Sequence, residues 1–273
     1  MPNLICGRFD LDLSVPRIMA IVNLTADSFS GDGLHHDVPA AIRRAESALR
    51  DGADILDIGA ESTRPGAAPV SEQQEIDLVV PAVEALLGFG VPISVDTLKP
   101  AVMREAIRAG ADMINDVNGF RAPGAVDAVA GGRTGLCVMH MQGEPRTMQN
   151  NPLYQDVVSE VAEFLNDRVD VLATAGVARE RIVLDPGFGF GKTVEHNCMM
   201  LREMALFGER GLPVLAGMSR KSMLGALTGR PVDQRVSASV AAALIAVQRG
   251  AAIVRVHDVA PTRDALTVWQ AVS

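Results

Sequence analysis

Short, continuously apolar runs alternate with longer amphipathic stretches along the whole chain. The β-rich runs fall at residues 18–22, 55–58, 93–95, 113–114, 136–139, 182–184, 214–216 and 253–256. Apolar at successive positions, they read as strands buried on both faces, as in parallel sheets. Between them, helical spacing covers residues 39–50, 72–87, 101–109, 154–175 and 232–249. Gly52, Gly88, Gly110, Gly176 and Gly250 then stand where helix C-caps belong. Strand–helix alternation implies parallel strands joined by crossovers. Eight such runs in 273 residues predict an α/β protein, a closed (β/α)8 TIM barrel, for which ~250 residues is usual. No linker, low-complexity tract or shift of composition marks a second domain, so residues 1–273 are expected to form one. Periodicity leaves a doubly wound open sheet standing as the alternative.

Nearly every apolar run ends on a polar residue. In strand order these are Asn23, Asp57, Asp96, Asn115, His140, Asp185, Ser219 and His257. In a barrel such positions converge on the C-terminal rim, where active sites of this architecture lie. Any one of them could be a helix cap or turn residue, but capping does not explain all eight. The longest polar loops, 24–38, 61–70 and 141–152, also follow strands, as binding loops and lids do.

Composition narrows the class. The chain is 48% hydrophobic, ordinary for a globular protein, which excludes disorder. Its 25 basic against 33 acidic residues give a net charge of −8. That balance argues against a nucleic-acid partner, which requires a basic footprint. Small anionic ligands remain open, because a few local cations suffice to hold one. No stretch is long and apolar enough to span a bilayer, and the first residues do not form a signal peptide. Cys6, Cys137 and Cys198 are odd in number and scattered, so neither disulfides nor a zinc site is expected, and the reducing cytoplasm is the expected location.

Several motif matches fail. Residues 185–193 read DPGFGFGKT, but a phosphate-binding loop of the GxxxxGK type would need glycine where Pro186 stands. GMSRK at 217–221 lacks the final glycine of a nucleophile elbow. The five histidines show no metal-ligand spacing.

Two sets of polar groups remain. Asp96, Asn115 and Asp185 could accept and donate to a flat heterocycle, with Lys221 bonding a ring carbonyl. For each Asp, a salt bridge or helix cap is the plainer role. The second set is cationic: Arg64 beside Thr63, Arg220 and Lys221 between Ser219 and Ser222, and Arg255 with His257. Arg255 and His257 are two apart on one strand and so share a face. Together this set could hold a phosphate or pyrophosphate.

These residues lie in ordered motifs: IVNLTADSFSGDG at 21–33, DIGAESTRPGA at 57–67, SVDT at 94–97, INDVNG at 114–119, VMHMQGEPRTMQ at 138–149, DPGFGFGK at 185–192, GMSRKSML at 217–224 and RVHDV at 255–259. The chain thereby resembles the dihydropteroate synthases over nearly its whole length. The resemblance implies a pterin ring in the barrel mouth, held by Asp96, Asn115, Asp185 and Lys221 and lined by Met139. It places Thr63, Arg255 and His257 on the pyrophosphate and Asn23 on Mg2+. It places p-aminobenzoate near Arg64, Phe190, Arg220 and Ser222. The implied reaction condenses 6-hydroxymethyl-7,8-dihydropterin pyrophosphate with p-aminobenzoate, giving 7,8-dihydropteroate and pyrophosphate in folate biosynthesis. Asn23, Thr63, Arg64, Asp96, Lys221, Arg255 and His257 would carry it, and sulfonamides would target it. A homodimer is implied as well, with residues 232–249 and 262–272 as candidate interface helices. One departure is Ala26, where the family usually has Pro; it bears on the closed form of the first lid and on Phe29. A pterin-dependent methyltransferase of the same barrel family is the rival reading, disfavoured by the ESTRPG, SRKS and RVH segments.

Overall fold

The computed structural model describes residues 3–24, 38–61, 70–144 and 147–273. All eight expected strands form. They are β3 (Arg17–Asn23), β4 (Ile55–Gly59), β5 (Ile93–Asp96), β6 (Met113–Asp116), β7 (Gly135–Met139), β8 (Ile182–Asp185), β9 (Leu215–Ala216) and β10 (Ile253–Val256). Their order is β8-β7-β6-β5-β4-β3-β10-β9, all parallel. A bridge between Leu184 and Val214 links β8 back to the β9 edge and nearly closes the ring. The TIM barrel replaces the open-sheet alternative.

The intervening helices are α1 (Val38–Arg50), α2 (Glu72–Leu86), α3 (Pro100–Ala109), α4 (Ala125–Val129), α5 (Val157–Thr174), α6 (Val194–Arg202), α7 (Ser222–Thr228) and α8 (Val236–Gln248). The C-terminal α9 (Val259–Val272) completes the ring. Capping explains several boundaries. Ser71 and Gln74 form a reciprocal capping box on α2. Asp156 accepts from the amides of Val158 and Ser159, so α5 starts at Val157, later than the periodicity at Tyr154 suggested.

Two other expectations are corrected. Gly88 does not cap α2: a 3-10 turn over Leu87–Phe89 extends the helix, and Gly90, at φ 73°, takes the left-handed position. The region 232–249 is a 3-10 turn, Val232–Gln234, followed by α8. The short α4, α6 and α7 gave too few turns for periodicity to reveal them.

Side-chain parity then sorts the strands. Ile18, Ala20, Val22, Leu56, Ile58, Val95, Ile114, Val138, Leu184 and Val254 point outward into the main core with the helices. Met19, Ile55, Met113, Cys137, Val183, Leu215 and Ile253 form the lower interior layer. An N-terminal hairpin, β1 (Leu4–Cys6) and β2 (Phe9–Leu11), covers that end with Leu4, Cys6, Leu11 and Leu13. It is fastened by Asp112, which is buried and accepts from the Arg8 amide (3.0 Å), Arg8 Nε (3.0 Å), Arg8 Nη2 (2.7 Å) and the Ile93 amide (3.0 Å). Gly7 must be glycine here: its φ is 58°, and a Cβ would stand 2.5 Å from Asp112 Oδ1. With the bottom sealed by apolar packing, the polar interior residues are left for the upper half.

Candidate active site

Above the apolar layer the interior turns polar. Asp57, Ser94, Asn115, Asp96, Asp185 and Arg255 project from β4, β5, β6, β8 and β10, alternating with the outward apolar residues. Arg255 organises one side. Its Nε donates to Asp57 Oδ2 at 2.6 Å and its Nη2 to Asp96 Oδ2 at 2.9 Å. Asn115 Nδ2 donates to the same Asp57 oxygen at 3.3 Å. Burial draws the guanidinium down, but Asp57 and Asp96 outweigh it and raise its pKa. Burial pushes Asp96 up to about 7; Arg255 opposes the shift and Asp57 reinforces it.

Asp57 is not the rim residue its place in the sequence suggested. It is third in a five-residue strand, pairs in register with Ile21 and Ser94, and is fully buried. It is the buried anchor of Arg255, a role that spacing alone did not show.

Asp185 and Lys221 form the other side. Asp185 Oδ1 accepts the Gly187 amide at 2.7 Å. Burial raises Asp185, and the Lys221 charge opposes that shift. Lys221 Nζ donates to the Phe188 carbonyl at 2.6 Å and sits 4.7 Å from the Phe190 ring centroid. Burial lowers Lys221 to about 8, with Asp185 partly offsetting it. Met139, beside Asp185 in register, joins Val117, Met141 and Met148 in an apolar wall on which Phe190 packs. The mouth therefore offers one hydrogen-bonding belt and one soft apolar wall, a lining suited to a flat polar ring.

Among the described residues, Asn115 Oδ1 and Asp57 Oδ1 are buried acceptors with no hydrogen-bond partner. A buried acceptor left unmet costs about 1–3 kcal/mol. Both belong to the interior belt, where a bound ring with N–H groups would satisfy such acceptors.

At the upper rim, His257 Nδ1 stands 3.0 Å from Ser219 Oγ, which also accepts the His257 amide at 3.1 Å. Asn23 ends β3 half-buried, its Oδ1 3.9 Å from where a Cβ at Gly59 would stand. Arg220 adopts φ 58°, with its amide donating to Ser239 Oγ at 2.9 Å. Its guanidinium grips Asp258 in a two-point ion pair at 2.9 and 2.5 Å. Much of its charge is thus already matched, unlike the open cation that the SRKS pattern suggested. Ser222 is exposed at the first turn of α7.

Thr63 and Arg64, together with Ala26 and Phe29, lie outside the described residues. Lys99 Nζ donates to Glu61 Oε2 (2.7 Å), the Val70 carbonyl (2.7 Å) and Glu75 Oε2 (2.6 Å), tying both flanks of residues 62–69 to α2 and the end of β5. Sequence reasoning passed over Lys99, as it did Lys192 and the partners of His140. For Lys192 the usable signal was a lysine closing the glycine-rich, apolar stretch 187–191, and for His140 a histidine between Met139 and Met141.

This fold, a parallel barrel with a polar mouth over a methionine wall, matches a family model described as pterin binding enzyme across residues 19–257. The chain therefore belongs to the pterin binding enzymes. It is 52% identical over 262 residues to a dihydropteroate synthase of Haemophilus influenzae, covering 96% of this chain and 95% of that one. It is 48% identical to that of Escherichia coli, covering 96% and 93%. Among solved structures, Burkholderia cenocepacia dihydropteroate synthase complexed with 7,8-dihydropteroate superposes with a TM-score of 0.92 at 56% identity, covering 99% of this chain and 96% of that one. A Xanthomonas albilineans dihydropteroate synthase with 4-aminobenzoic acid gives a TM-score of 0.92 at 51% identity, covering 99% and 98%. Within the family the chain falls among the dihydropteroate synthases, transferases of folate biosynthesis, and these relatives support that branch over the methyltransferase reading.

Proposed function

We propose that this chain joins p-aminobenzoate to 6-hydroxymethyl-7,8-dihydropterin pyrophosphate at the barrel mouth, releasing pyrophosphate and 7,8-dihydropteroate. The observation that carries the reading is the interior belt itself. Asp96, Asn115 and Asp185 stand on adjacent or near strands, Lys221 faces Asp185, and Asn115 Oδ1 is buried without a partner among the described residues. A dihydropterin ring supplies amine, amide and carbonyl groups that complement this set.

In the reaction the C–O bond between the pterin methylene and the pyrophosphate breaks, and the aniline nitrogen bonds the methylene and loses a proton. No protein nucleophile is required. Negative charge grows on the leaving group, so donors fixed in advance lower the barrier. Arg255 has five N–H groups. Among the described residues Asp57 and Asp96 take one N–H each, from Nε and Nη2, and the remaining N–H groups would serve phosphate oxygens. His257 and Thr63 would add to this. As positive character grows on the methylene, Asp96 and Asp185 favour the electron-poor ring.

A magnesium ion fits a restricted role. Among the described residues no group of three His, Cys, Asp or Glu could hold a metal. Asn23 would supply one neutral oxygen and diphosphate oxygens and water the rest, which suits an ion that keeps its waters. When bound, it would neutralise charge on the leaving group.

The aminobenzoate would lie against Phe190, with its carboxylate toward Ser222, Arg64 and whatever charge Arg220 retains beside Asp258. A relative, Yersinia pestis dihydropteroate synthase, is solved with a sulfonamide drug complex, and we extend that sensitivity to this chain. Homodimerisation through the late helices is supported by exposed Ile245 on α8 and Val268 and Val272 on α9. No helix among the described residues is long and apolar enough to cross a membrane; a cytoplasmic location remains part of the proposal.

Release of pyrophosphate from dihydropterin pyrophosphate, followed with and without p-aminobenzoate and with excess chelator, tests the reading. Release that depends on p-aminobenzoate is expected, and chelator should suppress it. Absence of aminobenzoate-dependent release would refute the assignment, and full turnover in chelator would remove the metal from it.

A further inference from the structure

Lys192 is buried, and neither the belt nor the rim uses it. Its ammonium meets three acceptors: the Gly187 carbonyl at 3.0 Å, the Phe190 carbonyl at 3.0 Å and His140 Nδ1 at 2.8 Å. Three acceptors match the three N–H groups of a charged lysine. Burial draws Lys192 down to about 7 and the Asp185 charge opposes that shift; in its charged form the lysine has no lone pair, so Nδ1 of His140 then accepts and the ring proton sits on Nε2. The surroundings agree. Burial, with the Lys192 and Arg121 charges, holds His140 down at about 2, and its ring packs edge-on against Phe164 at 4.8 Å.

The segment that Lys192 grips lies outside helix and strand, with one internal turn in which the Phe190 amide donates to the Gly187 carbonyl at 3.1 Å. Gly187, Gly189 and Gly191 all take positive φ, at 71°, 80° and 63°. A Cβ at Gly187 would lie 1.9 Å from the His140 carbonyl, and one at Gly191 would lie 2.6 Å from the Gln142 carbonyl. Such a chain has many alternative conformations, and glycine makes them cheap. Among the anchors that fix this one are Lys192 on two carbonyls, Asn197 Oδ1 on the Gly189 amide (2.7 Å), Gln149 Nε2 on the Gly189 carbonyl and Tyr154 Oη on the Gly191 carbonyl (2.9 Å).

This loop touches both sides of the mouth. It delivers the Gly187 amide to Asp185, the Phe188 carbonyl to Lys221 and the Phe190 ring beneath the Lys221 ammonium. We propose that Lys192 is a positioning residue for the pterin and aminobenzoate subsites: by pinning the Gly187 and Phe190 carbonyls it holds Asp185, Lys221 and Phe190 in their binding geometry. It acts through the loop and touches no substrate. This inference rests on the functional reading of Asp185, Lys221 and Phe190 above.

The leaving-group side is held differently. Arg255 is fixed by Asp57 and Asp96, and His257 by Ser219, all on other elements. That separation supplies the test. In Lys192→Met, which keeps the stem and removes the N–H groups, hydrogen exchange at Gly187, Phe188 and Gly189 is expected to quicken at least tenfold. Affinity for 7,8-dihydropteroate, measured by calorimetry, should fall at least tenfold. Affinity for inorganic pyrophosphate in excess magnesium should stay within twofold. Unchanged exchange overturns the inference. So does equal weakening of both ligands, which would mark a general loss of structure.

If Lys192→Met does not fold, Tyr154→Phe carries the test, since it removes one anchor of the same loop. The same split at smaller amplitude supports the proposal, and its absence refutes it. A wild-type protein that binds no dihydropteroate would refute the functional reading instead, and the exchange rates would still judge the loop.

Discussion

Asp57→Asn isolates how the buried carboxylate tunes the mouth. The substitution keeps size and one acceptor oxygen but removes a charge that Arg255 Nε contacts at 2.6 Å. Asp57 and Asp96 bind two nitrogens of one guanidinium, so their carboxylates stand roughly 6 Å apart; at an effective dielectric of about 20, like charges repel there by ~2–3 kcal/mol. Asp57 is among the groups that raise Asp96, and Arg255 is the one that lowers it most. Removing the Asp57 charge relieves the repulsion and frees more of the Arg255 field for Asp96. Both changes favour ionised Asp96, so its pKa must fall. At 1.36 kcal/mol per unit the fall should reach ~1 unit or more. A weaker effect acts on Arg255: a charge-assisted bond becomes neutral, costing about 1–2 kcal/mol of ligand binding, or roughly tenfold. The assay is the pH dependence of kcat/KM for pyrophosphate release. Its acid limb should start near pH 7, where Asp96 gains its proton, and move to lower pH in the variant. An acid limb that stays in place, or moves up, refutes the coupling.

Other outcomes follow from the same geometry. In the wild type, kcat/KM should be bell-shaped: Asp96 protonates below about 7 and loses its acceptor charge, while Lys221 deprotonates above about 8 and loses its donor charge. A flat profile between pH 6 and 9 would contradict this. Asp185→Ala should abolish dihydropterin binding in calorimetry while leaving the cooperative melt; retained affinity would remove Asp185 from the pterin site. Arg255→Ala should weaken pyrophosphate binding by ~1.5–3 kcal/mol, the scale of bonds to a charged group. Asp112→Ala should lower stability by about 2–4 kcal/mol, because it strips a buried acceptor from the Ile93 amide and unfastens the N-terminal hairpin. Denaturant melts check it, and an unchanged midpoint would show that the hairpin does not need this bond.

Much of the architecture was legible along the chain. The eight barrel strands lie where the short apolar runs stand, because strands covered on both faces carry few polar positions within such runs, and those few, Asp57, Ser94 and Arg255, face the upper interior. Asn23, Asp96, Asn115 and Asp185 stood out as polar residues closing such runs, and motifs around them pointed to the family. Short elements were harder. The hairpin at Leu4–Cys6 and Phe9–Leu11 and the seven-residue α7 offer too few repeats for a period to register.

Depth and partnership were decided only by the tertiary structure. Asp57 and Asp96 look alike in sequence, each an aspartate near the end of an apolar run. The stagger of β4 against β5 pairs Asp57 with Ser94 and Asp96 with Gly59, one layer higher. The first becomes a sealed anchor and the second faces the mouth. Arg220 and Arg255 read as equivalent cations, yet Arg220 closes on Asp258 while Arg255 is strung between two interior carboxylates. Lys192 found its three acceptors among residues 2, 5 and 52 positions away. Hydrophobic pattern is a property of single positions and survives in one dimension. Which charge meets which depends on strand stagger and loop path, and those exist only once the barrel has closed.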